Sequence, residues 1–118
     1  MQLKMVSKDD HAIRIQSEGP ITQSITDNDP DPIQELLGPE AYAQQVLLNM
    51  ENSDYLTSYG IGWLLRCHKR FGKAGGKLVL HSVPPMVLES LKLLRLHRLF
   101  HLAADEAAAL SIVTGDQS

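Results

Sequence analysis

Two short, wholly apolar runs, Val46-Leu47-Leu48 and Leu78-Val79-Leu80, flank a segment of helical spacing. A continuous apolar run of strand length suits a strand covered on both faces. Between the runs, Ile61, Leu64, Leu65, His68 and Phe71 recur at i, i+3, i+4, i+7 and i+10. That spacing predicts a helix from about Ser58 to Gly72 with these side chains on its main apolar stripe. Gly72, Gly75 and Gly76 end it, and Arg66, Lys69, Arg70 and Lys73 complement the negative end of its dipole. Ser82 precedes a second helix whose first turn tolerates Pro84 and Pro85, because N–H groups are unpaired there anyway. Leu88, Leu91 and Leu94 form its face. Leu99 to Leu102 reads as a last strand, and Asp105 as the cap of a terminal helix containing Ala107, Ala108, Ala109 and Leu110. Strands and helices alternating with short connections imply right-handed parallel crossovers.

The N-terminal part reads differently. Leu3 and Met5, then Ile13 and Ile15, alternate on either side of the polar turn Lys8-Asp9-Asp10-His11, which predicts a β-hairpin. From Glu18 to Glu40, glycines, prolines and aspartates punctuate the chain and leave room only for a short helix around Ile33 to Leu37. The expected fold is therefore α/β: one domain over residues 1–113, a mixed β-sheet with an N-terminal antiparallel hairpin, and parallel βαβ units covered by helices. Residues 114–118 are expected to be a polar tail. A length of 118 residues suits one domain and leaves little room for a catalytic cleft.

Composition excludes several function classes. No apolar run nears the roughly 18 residues of a membrane span, and the N-terminus lacks the apolar segment of a signal peptide. The expected setting is the cytosol, with no membrane partner. Cys67 is the only cysteine, so neither an intrachain disulfide nor a cysteine-based zinc cluster within one chain is possible. A net charge of -3 gives no overall footprint for nucleic acid, although a local basic surface remains compatible with it. A protein partner is the better expectation. Gly72-Lys73-Ala74-Gly75-Gly76-Lys77 precedes a strand and has Leu78 where a phosphate-binding loop needs Ser or Thr. His97 and His101 lack a third ligand at metal-site spacing. No metal, cofactor or catalytic residue is expected.

Turns leaving the C-terminal ends of parallel strands gather on one edge, the usual location of sites in such sheets. Ser58 and the His81/Ser82 turn belong there. A serine at a helix start lies beside unpaired backbone N–H groups and the positive end of the dipole, so a phosphate can sit on it without unfolding its host. Such a phosphate adds roughly 1.5 to 2 negative charges to a contact surface. The plainer reading makes Ser58, or Thr57, an N-cap. Trp63 and Cys67 lie off the main stripe, where they serve either as secondary core or, for Trp63, as an interface contact.

The strand VLLNM, then TSYGIGWLL, then AGGKLVLHSVPPMVLESLKLLRLHRLF resembles the STAS-domain family, specifically the bacterial anti-sigma factor antagonists. In that family an Asp-Ser-Ser/Thr-Gly-Leu-Gly motif opens a helix. The resemblance implies that Ser58 is the phosphorylated serine and that Gly60 and Gly62 are the motif glycines. Thr57 stands where the family has aspartate, and Tyr59 replaces a small hydroxyl residue. A second acidic site of the family falls on Gly19-Pro20-Ile21-Thr22, with Thr22 again replacing aspartate. The implied partners are an anti-sigma factor that doubles as a serine kinase and a serine phosphatase that resets the switch. Any nucleotide belongs to the kinase. Thr57, Tyr59, Gly60, Gly62 and Trp63 would frame the contact surface, joined by Thr22 and Ser82. The alternatives are a STAS adaptor that is never phosphorylated and, from another class, a small serine hydrolase using Ser58, His81 and Asp54.

Overall fold

The structure, a computed structural model, describes residues 2–22 and 31–115. Strands β1 (Gln2–Lys8) and β2 (Ile13–Glu18) form the antiparallel hairpin, and β3 (Gln45–Asn52), β4 (Lys77–His81) and β5 (His101–Ala103) add to it in parallel. The sheet order is β1-β2-β3-β4-β5. Its hairpin turn is held by Asp9, whose carboxylate accepts the N–H groups of His11 at 2.8 Å and Ala12 at 3.0 Å and pairs with Arg14 at 2.6 Å. These bonds, Arg14's first, hold the Asp9 carboxyl well below the usual carboxylate range.

Both apolar runs are covered on two faces. Val46 pairs with Leu78 and Leu48 with Leu80, and these four side chains share one core with Ile13 and Ile15. Leu47 and Val79 point the other way, against Ala12 and Ala109. Helices α1 (Pro32–Leu37), α2 (Ser58–Ala74) and α3 (Pro85–Leu93) contribute Ile33, Leu64 and Leu91 to the larger core. Helix α4 (Glu106–Thr114), capped by the Asp105 side chain, supplies Ala109 to the smaller one. The expected short helix is thus present as α1, with Asp31 as its cap. The expected loop residues Asp27, Asn28, Asp29 and Pro30 lie outside the described residues.

Several details differ from the expectation. The buried side of α2 consists of Gly60, Trp63, Leu64, Cys67 and Phe71, whereas Ile61, Leu65 and His68 are half-buried flanks. Two stripes of helical period overlap at Leu64 and Phe71, and the one carrying Trp63 and Cys67 turns inward. In α3 the buried residues are Val87 and Leu91, while Leu94 caps the helix and is exposed. The last strand begins only at His101: the N–H groups of Leu99 and Phe100 both donate to the carbonyl of Leu96, which ties them to the 3₁₀ turn Leu96–Arg98. The last helix includes Thr114, and Gly115 ends it in the left-handed conformation.

A buried polar group fixes α1 to α2. The Asp31 carboxylate accepts the Ile33 N–H at 2.8 Å and the Cys67 thiol at 3.5 Å, and it lies 3.6 Å from the Arg70 guanidinium. Arg70 also donates to the Tyr42 hydroxyl at 3.0 Å. Arg70, one of the four cations expected to complement the helix dipole, is therefore also a structural tie.

Candidate functional site

The site builds up at the edge where β3 and β4 end. Ser53, buried just beyond β3, shares a 2.6 Å hydrogen bond with Ser17 of β2, which anchors the loop that follows. That loop then pairs with the segment after β2. The Ile21 N–H donates to the Tyr55 carbonyl at 2.8 Å, and the Thr57 N–H donates to the Ile21 carbonyl at 3.1 Å. Thr22, exposed and next in sequence to Ile21, thereby comes to the same edge.

Thr57 is the N-cap of α2. Its backbone is extended, its hydroxyl accepts the Gly60 N–H at 3.1 Å, and its carbonyl accepts the Ile61 N–H at 2.9 Å. Ser58 is then the first helical residue, exposed, and among the described residues its hydroxyl has no hydrogen-bond partner. The capping role considered for either residue thus falls to Thr57. The first turn carries no acidic side chain, so nothing there already offsets the positive end of a 17-residue helix.

Gly60 is buried against Ile21, where a β-carbon would overlap the Ile21 carbonyl. Its function is close approach between α2 and the Ile21 segment. Gly62 is half-buried within the helix. Trp63 is 2 % exposed and belongs to the core, which corrects the expectation that it frames a contact surface. Gly60, three residues earlier, is buried on the same side of α2.

The exposed apolar groups at this edge are others. Tyr59 is 67 % exposed, Tyr55 56 % and Met86 71 %. Tyr55 and Met86 border a shallow cleft of about 80 Å³ that also includes Asp54, Leu56, Val87 and Ser90. Sequence spacing overlooked Tyr55 and Met86 because neither belongs to a stripe. The signal was there in Met86, which directly follows two prolines at a helix start and is out of phase with Val87 and Leu91.

Ser82 closes the edge from β4. Its backbone is left-handed with φ 55, and its hydroxyl lies 2.9 Å from Nδ1 of buried His81. Burial pushes the His81 pKa down, which favours the neutral ring. The hydrolase arrangement is not assembled, since His81 engages Ser82 while Asp54 and Ser58 are exposed. A larger cleft, about 260 Å³, lies between Val83, Leu88, Leu102, Ala103 and Ala104 and contains no titratable group. Among the described residues no three His, Cys, Asp or Glu side chains gather as a metal site, and no helix is long and apolar enough to cross a membrane.

Solved structures share this architecture. A candidate anti-sigma factor antagonist from Thermotoga maritima superposes with a TM-score of 0.70 at 16% identity, covering 95% of this chain and 92% of that one. An anti-sigma-factor antagonist (STAS) domain protein from Planctomyces limnophilus gives 0.67 at 17% identity, covering 97% and 99%. The unphosphorylated form of the anti-sigma factor antagonist SpoIIAA gives 0.64 at 20% identity, covering 99% and 98%. No curated protein matches the sequence. The family model of the STAS domain matches residues 6–109, nearly the whole sheet and its helices, and the chain belongs to that family.

Proposed function

We propose that this chain is an anti-sigma factor antagonist whose binding to its anti-sigma factor is switched by phosphorylation of Ser58. The observation that carries this reading is the division of labour at the start of α2: Thr57 caps the helix, and Ser58 is left exposed with its hydroxyl uncommitted. A phosphate on Ser58 would sit at the positive end of the helix dipole, so it would change the surface and leave the fold intact. The contact surface in this reading comprises Ser58, Tyr59, Thr22 and Ser82, with Tyr55 and Met86 beside them. Thr57 and Gly60 hold its backbone in place. The partners are an anti-sigma factor acting as a serine kinase and a serine phosphatase, and the chain itself has no catalytic role.

Tyr59 supports a second reading, a STAS adaptor that is never phosphorylated. Its largely exposed ring adjoins Ser58 where the family pattern has a small hydroxyl residue, so it can obstruct a kinase while enlarging a contact surface. One experiment separates the two. The purified chain is incubated with ATP and each anti-sigma factor serine kinase of its own organism in turn, and intact mass is measured. The switch requires one added phosphate that Ser58→Ala abolishes; an unchanged mass identifies the adaptor.

A further inference from the structure

The charges of this chain are segregated. Of its 11 Lys and Arg residues, eight lie between Tyr55 and Ala104, where Glu89 is the sole carboxylate; eight cations less one carboxylate give that span +7, against -3 for the whole chain. Such asymmetry points to an anionic partner.

The fold gathers these cations at one end. Helices α2 and α3 both return from the Ser58 edge to the opposite edge, where β4 and β5 begin. Lys69 and Lys73 of α2, Lys77 of β4, and Lys92, Arg95 and Arg98 at the end of α3 and in the turn after it therefore share that end. His68 and His101 link the two groups, their rings 5.4 Å apart. Burial, then the charges of Lys77 and His68, push the His101 pKa down. Lys69, Lys73, Lys92, Arg95 and Arg98 are exposed and form no ion pair with any described residue. Asp9, Asp10 and Glu40 lie toward the β2 and β3 side of this end, and Asp9 is already paired with Arg14.

Three leucines protrude from the same corner: Leu93 is 78 % exposed, Leu94 55 % and Leu99 46 %. Along the chain Lys92 and Arg95 flank Leu93 and Leu94, and Arg98 precedes Leu99. Protein interfaces tend to place apolar side chains at the centre and charged ones at the rim. An interleaved, protruding set instead suits a bilayer surface, where leucines enter the headgroup boundary while adjacent cations stay with the phosphates. A nucleic-acid backbone would leave the leucines uncovered.

Against the expectation of no membrane partner, we propose that this corner docks peripherally on an anionic bilayer surface, with Leu93, Leu94 and Leu99 entering the headgroup region and Lys92, Arg95 and Arg98 pairing with lipid phosphates. The contact is reversible and salt-sensitive, and it leaves the Ser58 edge facing away from the membrane.

The test is sedimentation of the full chain with phosphatidylcholine vesicles, either pure or containing about a third phosphatidylglycerol. Binding is expected only to the anionic vesicles, weakening by about tenfold or more between roughly 0.05 and 0.5 M salt. The triple variant Lys92→Gln, Arg95→Gly, Arg98→Gln is expected to lose at least about tenfold in affinity. Glycine suits the left-handed backbone of Arg95, φ 59, so this variant keeps its fold, as a thermal melt would verify. Leu93→Ser, Leu94→Ser, Leu99→Ser replaces three side chains that lie outside both core clusters and is expected to weaken binding comparably. Ser58→Ala is expected to bind like the parent, which separates this proposal from the phosphorylation reading. The proposal is overturned by absent binding, by equal binding to neutral vesicles, or by binding that either triple variant leaves intact. It is equally overturned if a photo-crosslinker at position 94 captures an acidic protein in cells while the purified chain ignores the vesicles.

Discussion

Gly60 meets the backbone of Ile21 so closely that a β-carbon on it would overlap the Ile21 carbonyl. That same carbonyl accepts the Thr57 N–H. One atom therefore joins the segment after β2 to the cap of α2, and Gly60 is the residue that permits the approach.

Gly60→Ala is accordingly expected to destabilise the fold by ~1–3 kcal/mol, because the added carbon meets backbone that can move only by breaking the Ile21 contacts with Tyr55 and Thr57. Gly72 provides the comparison. It lies in the same helix, a β-carbon there meets nothing within 4 Å, and Gly72→Ala is expected to stabilise by ~0.5–1 kcal/mol through helix propensity. Urea denaturation of the two variants beside the parent measures both, and their signs should be opposite.

The cap assignment predicts unequal costs at adjacent hydroxyl residues. Thr57→Ala removes the acceptor of the Gly60 N–H and is expected to cost ~1 kcal/mol, whereas Thr57→Asp, which also caps, should retain most of that stability. Ser58→Ala removes an exposed hydroxyl without a described partner and is expected to stay within about 0.5 kcal/mol of the parent. Thermal melts of the three proteins check the ordering. A larger loss at Ser58 than at Thr57 would reverse the assignment.

Asp31 gives a third prediction. Its carboxylate serves the α1 cap, the Cys67 thiol and Arg70 together, so Asp31→Ala is expected to cost ~2–3 kcal/mol; Arg70's partial exposure keeps the loss below that of a fully buried pair. Burial, followed by the Asp31 charge, pushes the Cys67 thiol well above its ordinary range. An aromatic disulfide reagent at mildly alkaline pH should therefore leave the native protein unmodified and react fully in concentrated urea. Rapid labelling of the native chain would contradict the burial of this thiol.

These residues also show what a sequence can and cannot reveal about such a fold. The parallel strands were legible because Val46-Leu47-Leu48 and Leu78-Val79-Leu80 must be covered on both faces, a condition few architectures meet. The orientation of α2 was not, because the stripes through Ile61 and through Trp63 share Leu64 and Phe71, and tertiary contacts such as that of Gly60 with Ile21, invisible to periodicity, accompany the stripe that turns inward. At the site, the run Thr57-Ser58-Tyr59-Gly60 was visible in the sequence, but the allocation of the cap to Thr57 is a matter of one 3.1 Å hydrogen bond. Tyr55 and Met86 were missed for a related reason. Exposure of a single apolar side chain depends on which elements stop short of covering it, and periodicity carries no record of that.

His81 is buried, and desolvation holds its folded pKa below the ordinary 6.5. His101 is displaced in the same direction, again chiefly by burial. Below the ordinary value the unfolded chain takes up protons at these rings that the folded chain refuses, so unfolding becomes more favourable as acid is added. Their contribution to stability is complete above the unfolded-state pKa and is lost as pH falls through and below it. Urea midpoints should consequently decline from pH 7 to about pH 5, in the window where histidine titrates. The variant His81→Gln with His101→Gln should show a flatter profile over that range, even though its stability at pH 7 is lower than the parent's. Should the parent's midpoint rise on acidification, or should the double variant keep the full slope, the dependence would have to originate in other groups.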